Sequence, residues 1–527
     1  AWSKRAAPSG AASLPITAMG RTSLAVAPSA TNTIYALVAC SAAAANQCGT
    51  GNVYDDGLRG VYRSTDGGAT WAARYENNFS TATNNNNRNL LLTNPVIARL
   101  TTCGFGTTAF YNQGWYDNTI AVDPADPARV WVGGIDLWRS DDSGVAWGVA
   151  SYWWFTNGVD AQYAHADQHG IWFHPSYNGT TNQTMYVTND GGIQRSVNAR
   201  AAVGTNSTNS AANNSLCGNA NLPAVQWTSL NNSLAITQFY DGEVYPNGTS
   251  FFGGTQDNGT NCGASAAGTD CDADAAGAND WEEINGGDGG YVAINPAVPA
   301  TIYSENTGIS IQRSTDNGVT WADIIPVDDG DATPLESPGE DTGQFINPFV
   351  RDPNSNTRLW TSGTTLWRAD AAGTGTPATW VRASSTALTG GVLFSAIAVA
   401  PGNSNLVLAG TDDGRILRTT VGTSATSATV WTSVDVVAGA ATGEVSSIAF
   451  DPNTTTTPGT AVAFATISTF STAGNAVAHV LRSNDGGQTW SSIDGSGANA
   501  FPNVPAHSVV VDPNYFNGTR VYVGSDL

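Results

Sequence analysis

The chain has 527 residues, 41% hydrophobic and 12% charged, and its 21 basic against 43 acidic side chains give a net charge of −22. Such a length can bury roughly three quarters of its unfolded surface, while so acidic a coat repels phosphate backbones and excludes nucleic acid as a partner. No apolar run approaches the roughly 20 residues of a membrane span, and no stretch holds helical periodicity while short Val/Ile/Tyr/Phe/Trp runs abound, so the expected class is all-β.

Trp2-Ser3-Lys4-Arg5 reads as the last strand of a unit whose earlier strands are missing. A strand over 23–28 follows and ends at Pro28. Cys40 and Cys48 then bracket part of a Gly/Ala/Asn-rich insertion at 41–58, placed between a second and a third strand. The phrase Ser64-Thr65-Asp66-Gly67-Gly68-Ala69-Thr70-Trp71 comes next, behind Val61-Tyr62-Arg63, and it returns at 140–147, 314–321 and 483–490. Asp and Gly at its centre supply the acceptor and the positive φ of a tight hairpin turn, and the Trp can seat its ring beside that turn. A phrase repeated at intervals of tens of residues marks a repeat architecture.

The same order recurs behind an Asn-rich insertion at 76–114: a strand ending in Pro, two strands joined by a turn, and a Trp-bearing fourth strand. First strands fall at 119–124, 170–175, 242–246, 291–296, 345–353, 395–401, 446–452 and 508–513. Fourth strands carry Trp147, Trp227, Trp281, Trp321, Trp380, Trp431 and Trp490. Further insertions lie at 197–224 and at 257–280, the latter again placed between second and third strands. Four strands per unit is the content of a propeller blade, so residues 1–527 are read as one β-propeller of about eight complete blades plus a split one, both ends cut within a blade. By proximity Cys262 pairs with Cys271 as Cys40 pairs with Cys48, leaving Cys103 for Cys217. Disulfides imply an oxidising compartment, and a secreted, mature chain with its signal peptide removed is expected.

Candidate chemistry gathers at the leading ends of the first strands, which would share one channel mouth. Six residues before each strand-ending Pro stand Asn118, His169, Tyr240, Gly290, Ser446 and His507, and eight before stand Tyr116, Asp167, Gln238, Asp288 and Glu444. In an extended segment His165, Asp167 and His169 project to one side. Two imidazoles flanking a carboxylate suit a divalent metal or a general acid/base pair, against the plainer reading of a hydrogen-bonded plug, and no cofactor is assigned. Trp115, Tyr116, Asn118, His165, His169, Tyr240, Gln256 and Asp257 form the candidate ligand-binding set, because aromatic faces beside amides and carboxylates suit sugar rings. Asp167, Asp241, Glu243 and Asp288 are the candidate catalytic acids of a paired-carboxylate hydrolase.

The turn phrase resembles the Asp-box, or bacterial neuraminidase repeat. That family includes sialidases, xyloglucanase-type glycoside hydrolases, sortilin-type receptors and photosystem assembly factors. The runs 165–169, 189–193 and 254–259 resemble secreted bacterial glycosyl-hydrolase-like or sortilin-like repeat proteins. The sialidase Arg-Ile-Pro strand is missing, Arg415-Ile416-Leu417 being the nearest. The slot of the xyloglucanase catalytic Asp reads Gly57-Leu58-Arg59-Gly60, without an acid. The expectation is a secreted propeller recognising an extracellular polymer, glycan first and peptide second. A glycoside hydrolase other than a sialidase is the alternative, and a non-catalytic cell-surface scaffold the second. Oligomeric state stays open.

Overall fold

In the computed structural model the described residues are 14–15, 17–77, 79, 91–93, 112–153, 161–204, 223–231, 234, 237–264, 281–326, 341–373, 379–385, 388, 390–436, 443–454, 457–472, 476–515 and 520–526. They form eight four-stranded antiparallel sheets and one two-stranded sheet, with 3-10 turns as the only helical elements among them. The fold class is a β-propeller of four-stranded blades. Its strands divide into two compact units, residues 1–236 and 237–527. The segment 2–5 lies outside the described residues.

Unit 1 holds three sheets, whose first strands Thr22–Val26, Thr119–Val122 and Gln168–Phe173 run side by side. In unit 2 the neighbouring first strands are Phe239–Val244, Val292–Ile294, Phe349–Arg351, Phe394–Ala400, Glu444–Phe450 and Ala506–Val511. Period-two alternation explains the stacking. In Val130–Gly133 the side chains of Val130 and Val132 join Tyr35, Leu37 and Val61 of the first sheet, while Trp131 joins Met185, Val187 and Trp227 of the third. A sheet covered on both faces reads as a continuous apolar run, as these strands do.

The repeated phrase is a closed hydrogen-bond set. Ser64 Oγ donates to Asp66 Oδ1 at 2.8 Å and accepts from the Gly68 amide at 2.8 Å, and the Thr70 amide and hydroxyl donate to the two Asp66 oxygens at 2.8 and 2.6 Å. These donors, the Thr70 hydroxyl foremost, hold the Asp66 carboxyl down at about 2. Serine and aspartate repeat the set at Ser140/Asp142, Ser314/Asp316 and Ser483/Asp485. The turn needs two successive positive φ angles; Gly67-Gly68 supply 71° and 90°, while Ser143 and Asn317 take the first position at 67° and 60°.

The tryptophans lock the blades in two ways. Trp71 and Trp147 donate Nε1 to the carbonyl of a glycine in their own turn, Gly68 and Gly144, both at 3.2 Å. Trp227, Trp321, Trp380 and Trp431 donate instead to carbonyls at the outer end of the preceding sheet, Ala150, Ile284, Ile324 and Ala383. Arginines reach the other way: Arg139 Nη1 donates to the Ala199 and Ala201 carbonyls of the following sheet at 2.7 Å each.

Two expectations about the chain's organisation change. The third strand of the fourth sheet, Thr260–Ala264, lies inside the stretch read as an insertion from 257 to 280. Its sequence Thr-Asn-Cys-Gly-Ala carries no aliphatic signal, and pairing to Ser250–Thr255 on one side and Trp281–Asn285 on the other decides its conformation. Second, first strands start earlier than the Pro-anchored patterns at several places, because bulged residues extend them.

Cys40 and Cys48 are joined as a disulfide, and Cys262 is disulfide-bonded too. Cys103, Cys217 and Cys271 lie outside the described residues. With its partners separated by 8 residues, the first bridge contributes about 2–3 kcal/mol through loop closure. Cys40→Ser/Cys48→Ser is therefore expected to lower the thermal midpoint by several degrees in a melting experiment, and an unchanged midpoint would contradict this.

Candidate functional site

A β-bulge recurs at the leading end of five first strands, where pairing skips His169, Tyr240, Ser395, Ser446 and His507. Each stands six residues before its strand-ending Pro, so the register read from the sequence is the bulged position. A bulge leaves its extra residue out of the ladder and re-aims its side chain. The ring or phenol then turns onto the residue that follows the second strand. His169 Nε2 meets Asp190 Oδ1 at 2.5 Å, Tyr240 Oη donates to Gln256 Oε1 at 2.7 Å, and His507 Nε2 meets Asp526 Oδ1 at 2.6 Å. Bulged serines stitch sheets instead: Ser395 donates to the Val445 carbonyl and Ser446 to the Ala506 carbonyl.

In unit 1 the segment before the second sheet and the start of the third strand group build one cluster. Trp115 is 60% exposed, and its ring lies 5.4 Å from that of Tyr116. Tyr116 in turn sits edge-on to His169 at 4.9 Å and donates its hydroxyl to Asp190 Oδ2 at 3.0 Å. Asp190 thus receives Tyr116 on one oxygen and His169 on the other. Asp167 and Asp190 oxygens lie within 4.8 Å of one another.

Asp167 does not share a face with His165 and His169. Its φ is 63°, a left-handed conformation, and the strand begins only at Gln168, so the period-two projection fails. Asp167 turns inward beside Gln113, whose Nε2 donates to Oδ2 at 3.3 Å. Burial first, then the Asp190 charge, push its carboxyl up to about 6 against the opposing pull of Gln113, His165 and His169. His165 bonds the neighbouring Ala166 carbonyl through Nδ1 at 3.2 Å and packs on Gly191, where any Cβ would lie 2.3 Å from its ring. Asn118 is buried and donates to the Arg21 and Gly114 carbonyls, which makes it a stitch between the first two sheets.

Two acids that sequence reading left aside complete this cluster. Asp117 and Asp136 are 0% exposed. Burial, followed by the charge of Asp167, holds Asp117 well above the usual carboxylate range, and the same pair of causes acts on Asp136 alongside opposing hydrogen bonds. In the sequence Asp190 is visible only as a turn residue in Asn189-Asp190-Gly191-Gly192. Aligning the positions after the second strands, where Gln256 and Asp526 also stand, is the signal that isolates it.

Unit 2 employs its acids differently. Asp241 Oδ2 accepts the Val292 amide at 3.1 Å and Glu243 Oε2 accepts the Ile294 amide at 2.8 Å, so both cover the backbone edge of the next first strand. Glu305, fully buried, accepts the Tyr291 and Asn347 amides at 3.0 Å each. Asp288 accepts the Asp257 amide at 2.9 Å. Burial raises Glu243 to about 7 against its backbone hydrogen bond and Arg351, with Asp241 adding a little. Tyr240 and Gln256 remain at the surface as a polar, aromatic pair.

No family model matches the sequence, and no curated protein matches it as a relative. Among solved structures, a GH74 enzyme from Niastella koreensis is 16% identical, with 92% of this chain and 66% of that chain covered and a TM-score of 0.23. A GH74 xyloglucanase from Xanthomonas campestris is 15% identical over 90% of this chain and 67% of that one, with a TM-score of 0.21. YCF48 from Cyanidioschyzon merolae is 11% identical over 77% and 91%, with a TM-score of 0.35. The chain thus spans about two thirds of the length of the two GH74 enzymes, and at these values the likenesses assign no activity.

Proposed function

We propose that unit 1 recognises an extracellular glycan at the surface formed by Trp115, Tyr116, His169 and Asp190. The observation that carries this reading is the exposed Trp115 ring, set beside a Tyr116 whose orientation is fixed by hydrogen bonding to Asp190. An indole held open to solvent offers a flat apolar face to the C–H side of a sugar, and the neighbouring polar groups can meet its hydroxyls. The disulfide fits an extracellular setting, and no helix among the described residues is long and apolar enough to cross a membrane. The repeated turns are read as Asp-boxes on the strength of their shared Ser–Asp hydrogen-bond set.

A second reading, glycoside hydrolysis, is favoured by one observation. Asp167 and Asp190 oxygens approach within 4.8 Å, and Asp167 is raised to about 6, which sets a proton-holding acid beside a second carboxyl group. Asp241, Glu243 and Asp288 are committed to backbone amides, so this pair replaces them as the catalytic candidates. A glycan array probed with the full chain tests recognition. Retention of at least one oligosaccharide class is expected, with Trp115→Ala weakening it by about tenfold, the order of 1.4 kcal/mol, at unchanged melting temperature. Release of new reducing ends from the retained oligosaccharide, abolished in Asp167→Asn, would move the assignment to the hydrolase. A blank array with retention of unfolded peptides would replace glycan by peptide.

A further inference from the structure

The bulged histidine of unit 2 lies between a hydroxyl and a carboxylate. His507 belongs to the strand Ala506–Val511, where pairing passes from Ala506 to Ser508 and leaves its side chain out of the ladder. Its Nε2 meets Asp526 Oδ1 at 2.6 Å, just past the paired strand Val521–Ser525. Its Nδ1 meets Ser468 Oγ at 3.4 Å, on the last residue of Ala463–Ser468, the second strand of the preceding sheet. A carboxylate only accepts, so in the neutral ring Nε2 carries the hydrogen and Nδ1 presents its lone pair to the Ser468 hydroxyl. The His507 and Asp526 side chains are half exposed and Ser468 is partly buried, which leaves the group open to a ligand.

Unit 1 repeats the bulge and the acid, His169 with Asp190, but not the hydroxyl. Thr119 and Ser447 each stand five residues before their strand-ending Pro and pair with Gly133 and Thr466. Two residues beyond those partners stand Ile135 in unit 1 and Ser468 in unit 2. The histidine–aspartate pair is therefore a recurring product of the bulge, and the serine is what adds a reaction to it.

We infer that Ser468, His507 and Asp526 act as nucleophile, base and orienting group in the cleavage of a small carboxylic ester by acyl transfer. In the first half the Ser468 Oγ–H proton passes to His507 Nδ1 while Oγ bonds the ester carbonyl carbon. The bond from that carbon to the alkoxy oxygen then breaks, and the alcohol leaves with the proton. In the second half water gives a proton to Nδ1 as its oxygen attacks the acyl carbon, the carboxylic acid departs, and Oγ recovers the proton. Water is the only co-reactant. Asp526 holds the tautomer and stabilises the imidazolium, which makes it a positioning residue. The two ring nitrogens exchange the partners they have in serine proteases, but such a constellation is defined by geometry and roles, not by order in the chain. The 3.4 Å contact is long, as nucleophile–base contacts are before substrate tightens them. A partly buried serine beside a half-exposed imidazole admits a short acyl group, acetyl foremost. The reaction draws on no residue of unit 1, so it stands or falls separately from glycan recognition.

The test uses the full chain with two probes, a fluorophosphonate, which bonds covalently to an activated serine, and p-nitrophenyl acetate. The fluorophosphonate is expected to add one phosphonyl group by intact mass, and peptide mapping is expected to place it on Ser468. His507→Ala should slow that labelling by about a hundredfold. Release of p-nitrophenol should fall to the protein-free rate in Ser468→Ala. Asp526→Asn should lower kcat at least about tenfold with KM unchanged, a split that a merely structural role would not produce. Circular dichroism checks that each variant is folded, and the labelling site in the wild type is read without any variant. No adduct on the folded wild type, or an adduct on another residue, overturns the proposal. So does p-nitrophenol release that persists in Ser468→Ala and is lost in His507→Ala, which would make the imidazole act alone.

Discussion

Trp147→Ala is expected to cost about 3–5 kcal/mol of stability, the largest effect of any single substitution in the repeated turns. The side chain is 2% exposed and sits in the core shared by the first two sheets, with Trp138, Val61 and Val132. Its Nε1–H satisfies the Gly144 carbonyl, and the glycine backbone packs on the indole, a Cβ at Gly144 lying 3.6 Å from the ring. Removing it opens a large cavity and strips a hydrogen bond from the turn at once. Trp321 occupies the equivalent place in the fifth sheet but is only partly buried and bonds across to Ile284, so Trp321→Ala should cost roughly half as much. Denaturant titration of the two variants measures both. Equal losses, or a loss below about 1 kcal/mol for Trp147→Ala, would remove the tryptophan from its role as the blade lock.

Stability is expected to rise as pH falls from 8 toward 5. Asp241, Glu243 and Glu305 all have carboxyls raised by burial, which outweighs the backbone amides bonded to them. A carboxyl whose folded pKa exceeds its unfolded value keeps a proton that the unfolded chain has already released. The native state is therefore penalised fully above the folded pKa, and the penalty fades as pH falls toward the unfolded value. For Glu243, moved from 4.5 to about 7, the window is that interval and the penalty at pH 8 is on the order of 3 kcal/mol. Turn aspartates act with the opposite sign. Asp66, Asp316 and Asp485 are lowered by their hydrogen bonds, so their support is present above the ordinary carboxylate pKa and is lost only in stronger acid. The melting temperature should accordingly peak near pH 4–5, between the two windows. Glu243→Gln, which retains an acceptor for the Ile294 amide, should raise stability at pH 8 by about 2 kcal/mol and leave it unchanged near pH 4. A variant that is destabilised equally at both pH values would show that Glu243 is ionised throughout.

The elements best written in the sequence are those whose information is local. Ser64, Asp66, Gly68 and Thr70 close a hydrogen-bond set within seven residues, so the phrase reports its own turn wherever it occurs. The Pro-anchored count locates His169, Tyr240 and His507, although counting alone shows no bulge; only pairing with the second strand creates one. What pattern reading misses depends on distance in the chain. Asp190 gains its meaning from Tyr116 and His169, and Asp117 from burial beside Asp167, neither of which leaves a periodic mark. Alternation puts Asp167 in the right cluster but in the wrong conformation, since its positive φ reverses the direction that a strand implies. Asp241 and Glu243 alternate as candidate catalytic acids would, yet serve the exposed edge of the neighbouring first strand, a need visible only once the sheets are set side by side.

Fluorescence titration of the full chain with the oligosaccharide retained on the array is the most direct measurement of glycan recognition by unit 1. Saturable quenching or blue-shift of indole emission is expected in the wild type, with the spectral change gone in Trp115→Phe and affinity lost in Trp115→Ala. Binding of undiminished affinity in Trp115→Ala would contradict that role and place recognition away from the Trp115–Tyr116 surface.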